Sequence, residues 1–329
     1  MAVTVLGPDV LRPDFRLLAA AVALDLLLGD PVYRFHPVRL IGHTLSGFEH
    51  LLRKLGWDGY GGGIALFLLL VGLWCGALSA LVLGLYKYAG YIPAVAVHLF
   101  LLYSFIALRD LLRHGWAVEG AARRADLQAA RHAVSQLVGR DTDRMDLAAC
   151  RRAAIESMSE NLTDGFISAL FWYVVGGLPG IVLFKIVSTM DSMVGYKTPH
   201  YLRFGWCGAR LDDVMNWLPA RLTWLLIACV ALPVGGCSAM KSLLVGWRQH
   251  ALVPGPNSGW SEAAIAGAMQ RRLAGPIWKN HGLVSEVWLG EAGDPPAATG
   301  ADMHRASALI IAAALAAVAI AIASLIAPR

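Results

Sequence analysis

Charge is scarce in this chain. Of its 329 residues only 16% are charged and 57% are hydrophobic, against roughly one-quarter charged in an ordinary soluble domain, so a water-soluble globular protein is excluded. The five cysteines, at 75, 150, 207, 229 and 237, include no C-x-x-C pair, and neither a disulfide framework nor a zinc site is indicated. G-x-x-x-x-G-K-[ST], G-x-G-x-x-G and H-E-x-x-H are also missing, so any nucleotide binds outside a standard phosphate loop. The net charge of +5 is spread over loops and matched by carboxylates, with no basic stripe carrying aromatics, which excludes nucleic acid as a partner. No internal repeat occurs, which argues against the commonest transporter designs.

Long apolar runs are abundant. Crossing the hydrocarbon core takes about 20 mostly apolar residues. Gly59 to Tyr86, Tyr88 to Leu108, Gly165 to Phe184, Leu222 to Met240 and Ala306 to Pro328 are charge-free candidates. Phe15 to Gly29, interrupted by Asp25, reads as a retained first helix, because it lacks the basic start and small-residue cleavage pattern of a signal peptide. The expectation is an all-α, polytopic integral membrane protein, a single membrane domain over 1–329 with about five to six membrane segments. Polar stretches lie at 31–58, 109–164, 185–221 and 241–305. The second is the richest in arginine and is placed on the cytoplasmic side by its charge. It reads as amphipathic helix from Trp116 to Val138, a turn and cap at Gly139–Asp143, then another helix. Gly176-Gly177-Leu178-Pro179-Gly180 breaks the third run and predicts a re-entrant pair of half-helices, a device that often marks a binding site. Glu291 to Gly300 reads as a mobile loop.

Polar residues gather beside the spans. On a helix ending at Gly165, Glu156 and Glu160 share one face, with Asp164 a turn further on. Three carboxylates there suit magnesium, which takes hard oxygen ligands and shares them with phosphates. An ion pair between Glu156 and Arg152, four residues earlier, accounts for them equally well. Lys185, Ser188, Asp191 and Ser192 have the makings of a phosphate and metal site, with snorkelling of Lys185 as the rival. Arg210, Asp212, Asp213 and Arg221 pair aspartates for metal with arginines for phosphate, or cap the membrane surface. Asp25, inside an apolar helix, is costly and therefore a functional candidate. His36, His43 and His50 recur every seven residues without a ligand motif and read as solvated surface.

The ordered set of motifs resembles the adenosylcobinamide-phosphate synthase family of cobalamin biosynthesis. It comprises Leu26 to Pro31 with His36-Pro37-Val38; Val138 to Thr142; Glu156-Ser157, Glu160-Asn161 and Asp164-Gly165; and Asp191 to Lys197. Phe204-Gly205-Trp206, Ala209 to Asp213, Pro256-Asn257 and Glu262 to Ala268 complete it, so the match runs from Leu24 to Arg305. The chain departs from the family pattern at Ser159, Ser188 and Gly255. The resemblance implies a multi-pass protein of the cell (inner) membrane with a cytoplasmic active site. It implies a ligase that uses ATP and magnesium to join adenosylcobyric acid, a corrinoid, to (R)-1-aminopropan-2-ol O-phosphate or a related amino alcohol, through an acyl-phosphate intermediate. Other membrane enzymes of the pathway are implied partners, with membrane lipid. Catalytic roles fall to Glu156, Glu160, Asn161, Lys185 and Asp191. Substrate and phosphate contacts fall to Asp30, His36, Arg140, Ser192, Lys197, Arg203, Arg210 and Asn257, and magnesium to a set drawn from Glu160, Asp164, Asp191, Asp212 and Asp213. The alternatives are a membrane signalling or sensor protein of the same superfamily, and a transporter.

Overall fold

The computed structural model describes residues 8–30, 33–279 and 282–327. It is overwhelmingly helical, and the chain forms two compact units: one from residues 1–107, 168–215 and 320–329, the other from 108–167 and 216–319. The polar stretches 109–164 and 241–305 both belong to the second unit.

The first unit contains α1 (Phe15–Leu28), α2 (Pro37–Lys54), α3 (Tyr60–Ala89) and α4 (Tyr91–Ser104). The Asp14 carboxylate caps α1 by accepting from the amides of Arg16 and Leu17, and Gly29, at φ 73°, ends it. After this come α5 (Leu108–Arg123), α6 (Leu127–Ser135) and α7 (Leu147–Asn161) of the second unit. The helix expected from Trp116 to Val138 is therefore two helices. Asp126 caps α6 through the Ala129 amide, and Ala125, at φ 54°, turns the chain ahead of it. The cap of α7 is Asp146, accepting from the Ala149 amide, rather than the Gly139–Asp143 turn.

A π-helical turn at Leu162–Ile167 leads into α8 (Ser168–Val194), which is broken at Gly177, where φ is 60° and ψ −148°. A β-carbon on Gly177 would sit 2.2 Å from the Leu11 carbonyl oxygen, and one on Gly180 2.3 Å from that of Trp172. In a straight helix the latter pair would be about 12 Å apart. The chain thus turns sharply at the Gly-Gly-Leu-Pro-Gly break, as two half-helices should. Lys185 to Met193, read from sequence as the start of a polar loop, instead forms the end of α8. The next helix, α9 (Trp206–Met215), packs on α8 and α3.

The second unit resumes with α10 (Trp217–Val230), α11 (Ala239–Gln249) and α12 (Ser258–Met269), and most of α13 (Gly300–Ile326) belongs to it. Four short strands, β1 (Leu273–Ala274), β2 (Ile277–Lys279), β3 (Gly282–Ser285) and β4 (Trp288–Leu289), make two antiparallel pairs, β1 with β4 and β2 with β3. Helix α12 is buried along nearly its whole length, packed by α7, α10 and α11. Its alanines and glycines allow this, since the absence of side-chain bulk lets backbones approach closely. Glu291 to Gly300, expected to be mobile, is tied down. Lys241 reaches Glu291 at 3.1 Å and Asp294 at 3.7 Å, and the Asp302 carboxylate accepts from the amides of Ala298 and Thr299.

Among the described residues four stretches are, by length and composition, able to cross a membrane: Tyr60–Ala89, Tyr91–Arg123 (α4 continued by α5), Leu147–Val194 (α7 through the kinked α8) and Gly300–Ile326. The run expected from Leu222 to Met240 is not one continuous helix of spanning length. Its helix, α10, has 14 residues, about 21 Å against a hydrocarbon core of about 30 Å, and the chain turns at residues 231–236 before α11. Helix α1, also of 14 residues, is equally short.

Candidate active site

In the second unit, a cavity of about 290 Å³ opens between the C-terminal half of α7, the start of α12 and the strands. Glu156 and Glu160, one turn apart on α7, line it as the helical spacing predicts, with Ser157 between them and Arg140 opposite. The helix carrying them is not a surface helix, for Ala153 through Ser159 are buried. Glu156 is fully engaged: Arg140 donates to its Oε2, and the Ala274 amide donates to Oε1 at 2.9 Å. Its partner is thus Arg140, sixteen residues away in sequence, and not Arg152, which donates to the Ala297 carbonyl and lies 5.3 Å from the Trp288 ring.

The residue that sequence reasoning passed over is Glu262. It is the only charged side chain in α12, is 8% exposed, and lines the same cavity. Burial pushes its carboxyl well above the usual carboxylate range. The negative charges of Glu160, Glu156 and Asp164 push the same way, and only Arg140 opposes them. In sequence it stood as one letter of a motif; the signal was a lone acid in a run of small apolar residues, which is costly unless something uses it.

Asn161 donates its amide to the Ser157 carbonyl at 2.9 Å and to its hydroxyl at 3.3 Å, while Ser157 donates to the Leu137 carbonyl. Asn257 stands at the N-cap of α12 and accepts from Arg221 at 3.4 Å, whose guanidinium lies over the Trp217 and Trp260 rings at 4.2 and 4.9 Å. The turn holding Arg140 is fixed by the Asp141 amide, which donates to the Trp278 carbonyl at 2.8 Å, and by Arg144 lying over the Trp278 ring at 4.1 Å.

The remaining expected residues, Asp30, His36, Lys185, Asp191, Ser192, Lys197, Arg203, Arg210, Asp212 and Asp213, belong to the first unit. His36 is not solvated surface: it is 5% exposed and 2.8 Å from Asp30. His43 and His50 are exposed. Pro31 of the same motif lies outside the described residues. Around Asp191 the backbone is interlocked, since a β-carbon on Gly205 would sit 1.7 Å from the Val194 carbonyl oxygen. Ser192 donates to the Ser188 carbonyl, and Arg210 pairs with Asp213 at 3.2 Å.

The five expected magnesium ligands are therefore divided, Glu160 and Asp164 in the second unit and the three aspartates 191, 212 and 213 in the first. Among the described residues no three carboxylate, imidazole or thiol groups form a metal cage. Magnesium does not need one, as it usually takes one or two carboxylates and fills its sphere with water and phosphate oxygens. Glu160 and Glu262 provide such an all-oxygen set, and a buried carboxylate among like charges is what a divalent cation relieves. The residues present fit the ion.

These features define a helical membrane protein whose second unit carries an acid-lined, open cavity beside one arginine. A family model described as CobD/Cbib protein matches residues 18–310. Curated relatives include a "Cobalamin biosynthesis protein CobD" from Sinorhizobium sp, 42% identical over 79% of this chain and 82% of the relative. One from Rhodobacter capsulatus is 39% identical over 89% and 91%, and a "Cobalamin biosynthesis protein CbiB" from Salmonella arizonae is 36% identical over 83% and 86%. No solved structure matches. The chain belongs to the CobD/CbiB family of cobalamin biosynthesis proteins.

Proposed function

We propose that this protein is an adenosylcobinamide-phosphate synthase, which forms an amide between adenosylcobyric acid and an amino-alcohol phosphate at the expense of ATP. The observation carrying the proposal is the cavity that sets Glu160 and Glu262 beside Arg140. A carboxylate and an ammonium ion do not condense in water without activation, and magnesium-bound ATP supplies that activation. The reaction needs a site that gathers phosphates, metal and an anionic acid, which means paired charges in a shielded volume. Glu160 and Glu262 would hold the metal. Arg140, fixed by Glu156, presents the cation that an anionic substrate meets, and Glu156 is a positioning residue because both its oxygens are already engaged. Ser157 and Asn161 organise the same face of α7.

The test is product formation by the detergent-purified chain from adenosylcobyric acid and (R)-1-aminopropan-2-ol O-phosphate, with ATP and magnesium omitted in turn. Adenosylcobinamide phosphate should appear only in the complete mixture. Product without ATP, or none from folded protein with intact substrates, overturns the reading.

A further inference from the structure

A second, larger pocket of about 650 Å³ lies within the first unit, where the chain enters its first long helix; the cavity assigned to the reaction in the second unit does not draw on it, although the family resemblance gives its Arg203 a substrate or phosphate contact. Its walls are Arg53 at the end of α2, Asp58 and Gly59 just before α3, and the loop Pro199 to Arg203. The size falls in the range of roughly 300–1,000 Å³ typical of small-ligand sites.

The charges in this pocket are unequal in kind. Arg53 is held on all sides: its guanidinium meets Glu49 at 2.9 Å and Asp58 at 3.3 Å, donates to the His200 carbonyl at 3.2 Å, and lies 4.3 Å over the Phe204 ring. The two carboxylates are thereby occupied. Arg203 lines the same space, is exposed, and has no hydrogen-bond or ion-pair partner among the described residues. The His200 imidazole is 3.9 Å from Glu49, so Arg203 is the uncompensated cation that asks for an anion, and guanidinium geometry suits a phosphate.

The surroundings say which phosphate. The spanning helix α3 begins at Tyr60, immediately after the pocket wall. Trp57, Tyr60 and Trp206 are each about half exposed (53%, 51% and 44%), and the rings of Tyr60 and Trp206 meet edge to face at 5.6 Å. Amphipathic aromatics of this kind mark the headgroup level of a bilayer. Leu202, which lines the pocket, is exposed and supplies apolar surface, and Leu55, two residues after Arg53, is exposed as well. We propose that the Arg53–His200–Arg203 pocket binds the headgroup phosphate of an anionic phospholipid, with Leu202 against an acyl chain. This rests on the membrane reading of α3 and not on the ligase chemistry.

The experiment is titration of the detergent-purified full chain with phosphatidylglycerol, bound lipids being counted by native mass spectrometry, beside phosphatidylcholine, inorganic phosphate and ATP. Arg203→Gln should fold normally, having no partner to lose, and should weaken phosphatidylglycerol binding about fivefold, the effect of one basic residue near an anionic surface. Arg113→Gln, which removes an exposed arginine elsewhere, should leave it unchanged. Equal binding of phosphatidylcholine, an unchanged Arg203→Gln titration, or displacement of the lipid by inorganic phosphate or ATP would each overturn the proposal, the last by making the pocket a site for a soluble phosphate.

Discussion

Replacing Arg140 by Gln isolates the ion pair on which the cavity is built. The Arg140 and Glu156 side chains are 11% and 9% exposed, so solvent screening offers little relief. Removing one partner of a buried pair typically costs about 3–5 kcal/mol, because the other charge is stranded. Glu156 keeps its bond from the Ala274 amide, which puts the expected loss at the lower end, about 3 kcal/mol, or roughly a 150-fold change in the folded-to-unfolded ratio. The assay is unfolding of the purified protein in a fixed detergent, monitored by tryptophan fluorescence, for Arg140→Gln, Glu156→Gln and the double substitution by methionine. Each single variant should unfold far more easily, whereas the methionine pair, which leaves no stranded charge and keeps the volume, should recover most of the loss. A loss under about 1 kcal/mol for Arg140→Gln, the size of an exposed pair, would refute a buried pair and with it the fixed geometry of the cavity.

Two further expectations follow, one from this cavity and one from the first unit. The raised carboxyl of Glu262 means that the folded state holds a proton the unfolded state has already released. Stability of the metal-free protein should therefore fall as pH rises from the ordinary carboxylate range through the raised value. Glu262→Gln should flatten that fall in a thermal-unfolding series, and magnesium should stabilise the parent protein but not the variant at the alkaline end; identical pH profiles would count against the placement of Glu262. Gly205→Ala should misfold or unfold readily, since its β-carbon would meet the Val194 carbonyl at 1.7 Å, and a variant with unchanged melting temperature would refute that close approach.

What the sequence disclosed was largely local. Helical spacing put Glu156 and Glu160 on one face, and the Gly-Gly-Leu-Pro-Gly cluster located the break in α8, because both depend on a few neighbouring residues. The fold class was equally legible, since long apolar runs have few other uses. The failures were long-range or boundary effects. Arg152 was the natural partner of Glu156 by spacing, but the turn at 139–145, pinned by Trp278, delivers Arg140 instead. Leu222 to Met240 is apolar enough to span, yet the turn at 231–236 ends the helix early. Glu262 acquires its meaning only when α12 is buried on all sides against α7, α10 and α11, which no property of its neighbours in sequence announces. Glu291 to Gly300 has the composition of a free loop, but Lys241 and Asp302 hold it.

The most direct test of the central claim is turnover by Glu160→Gln, with Glu262→Gln beside it, in the complete mixture of adenosylcobyric acid, amino-alcohol phosphate, ATP and magnesium. If the cavity holds the metal, both variants should fold, as judged by fluorescence and elution, and yet form adenosylcobinamide phosphate at least 100-fold more slowly, about 2.7 kcal/mol of lost transition-state stabilisation. Near-parental turnover by either folded variant would contradict the assignment of the chemistry to this cavity.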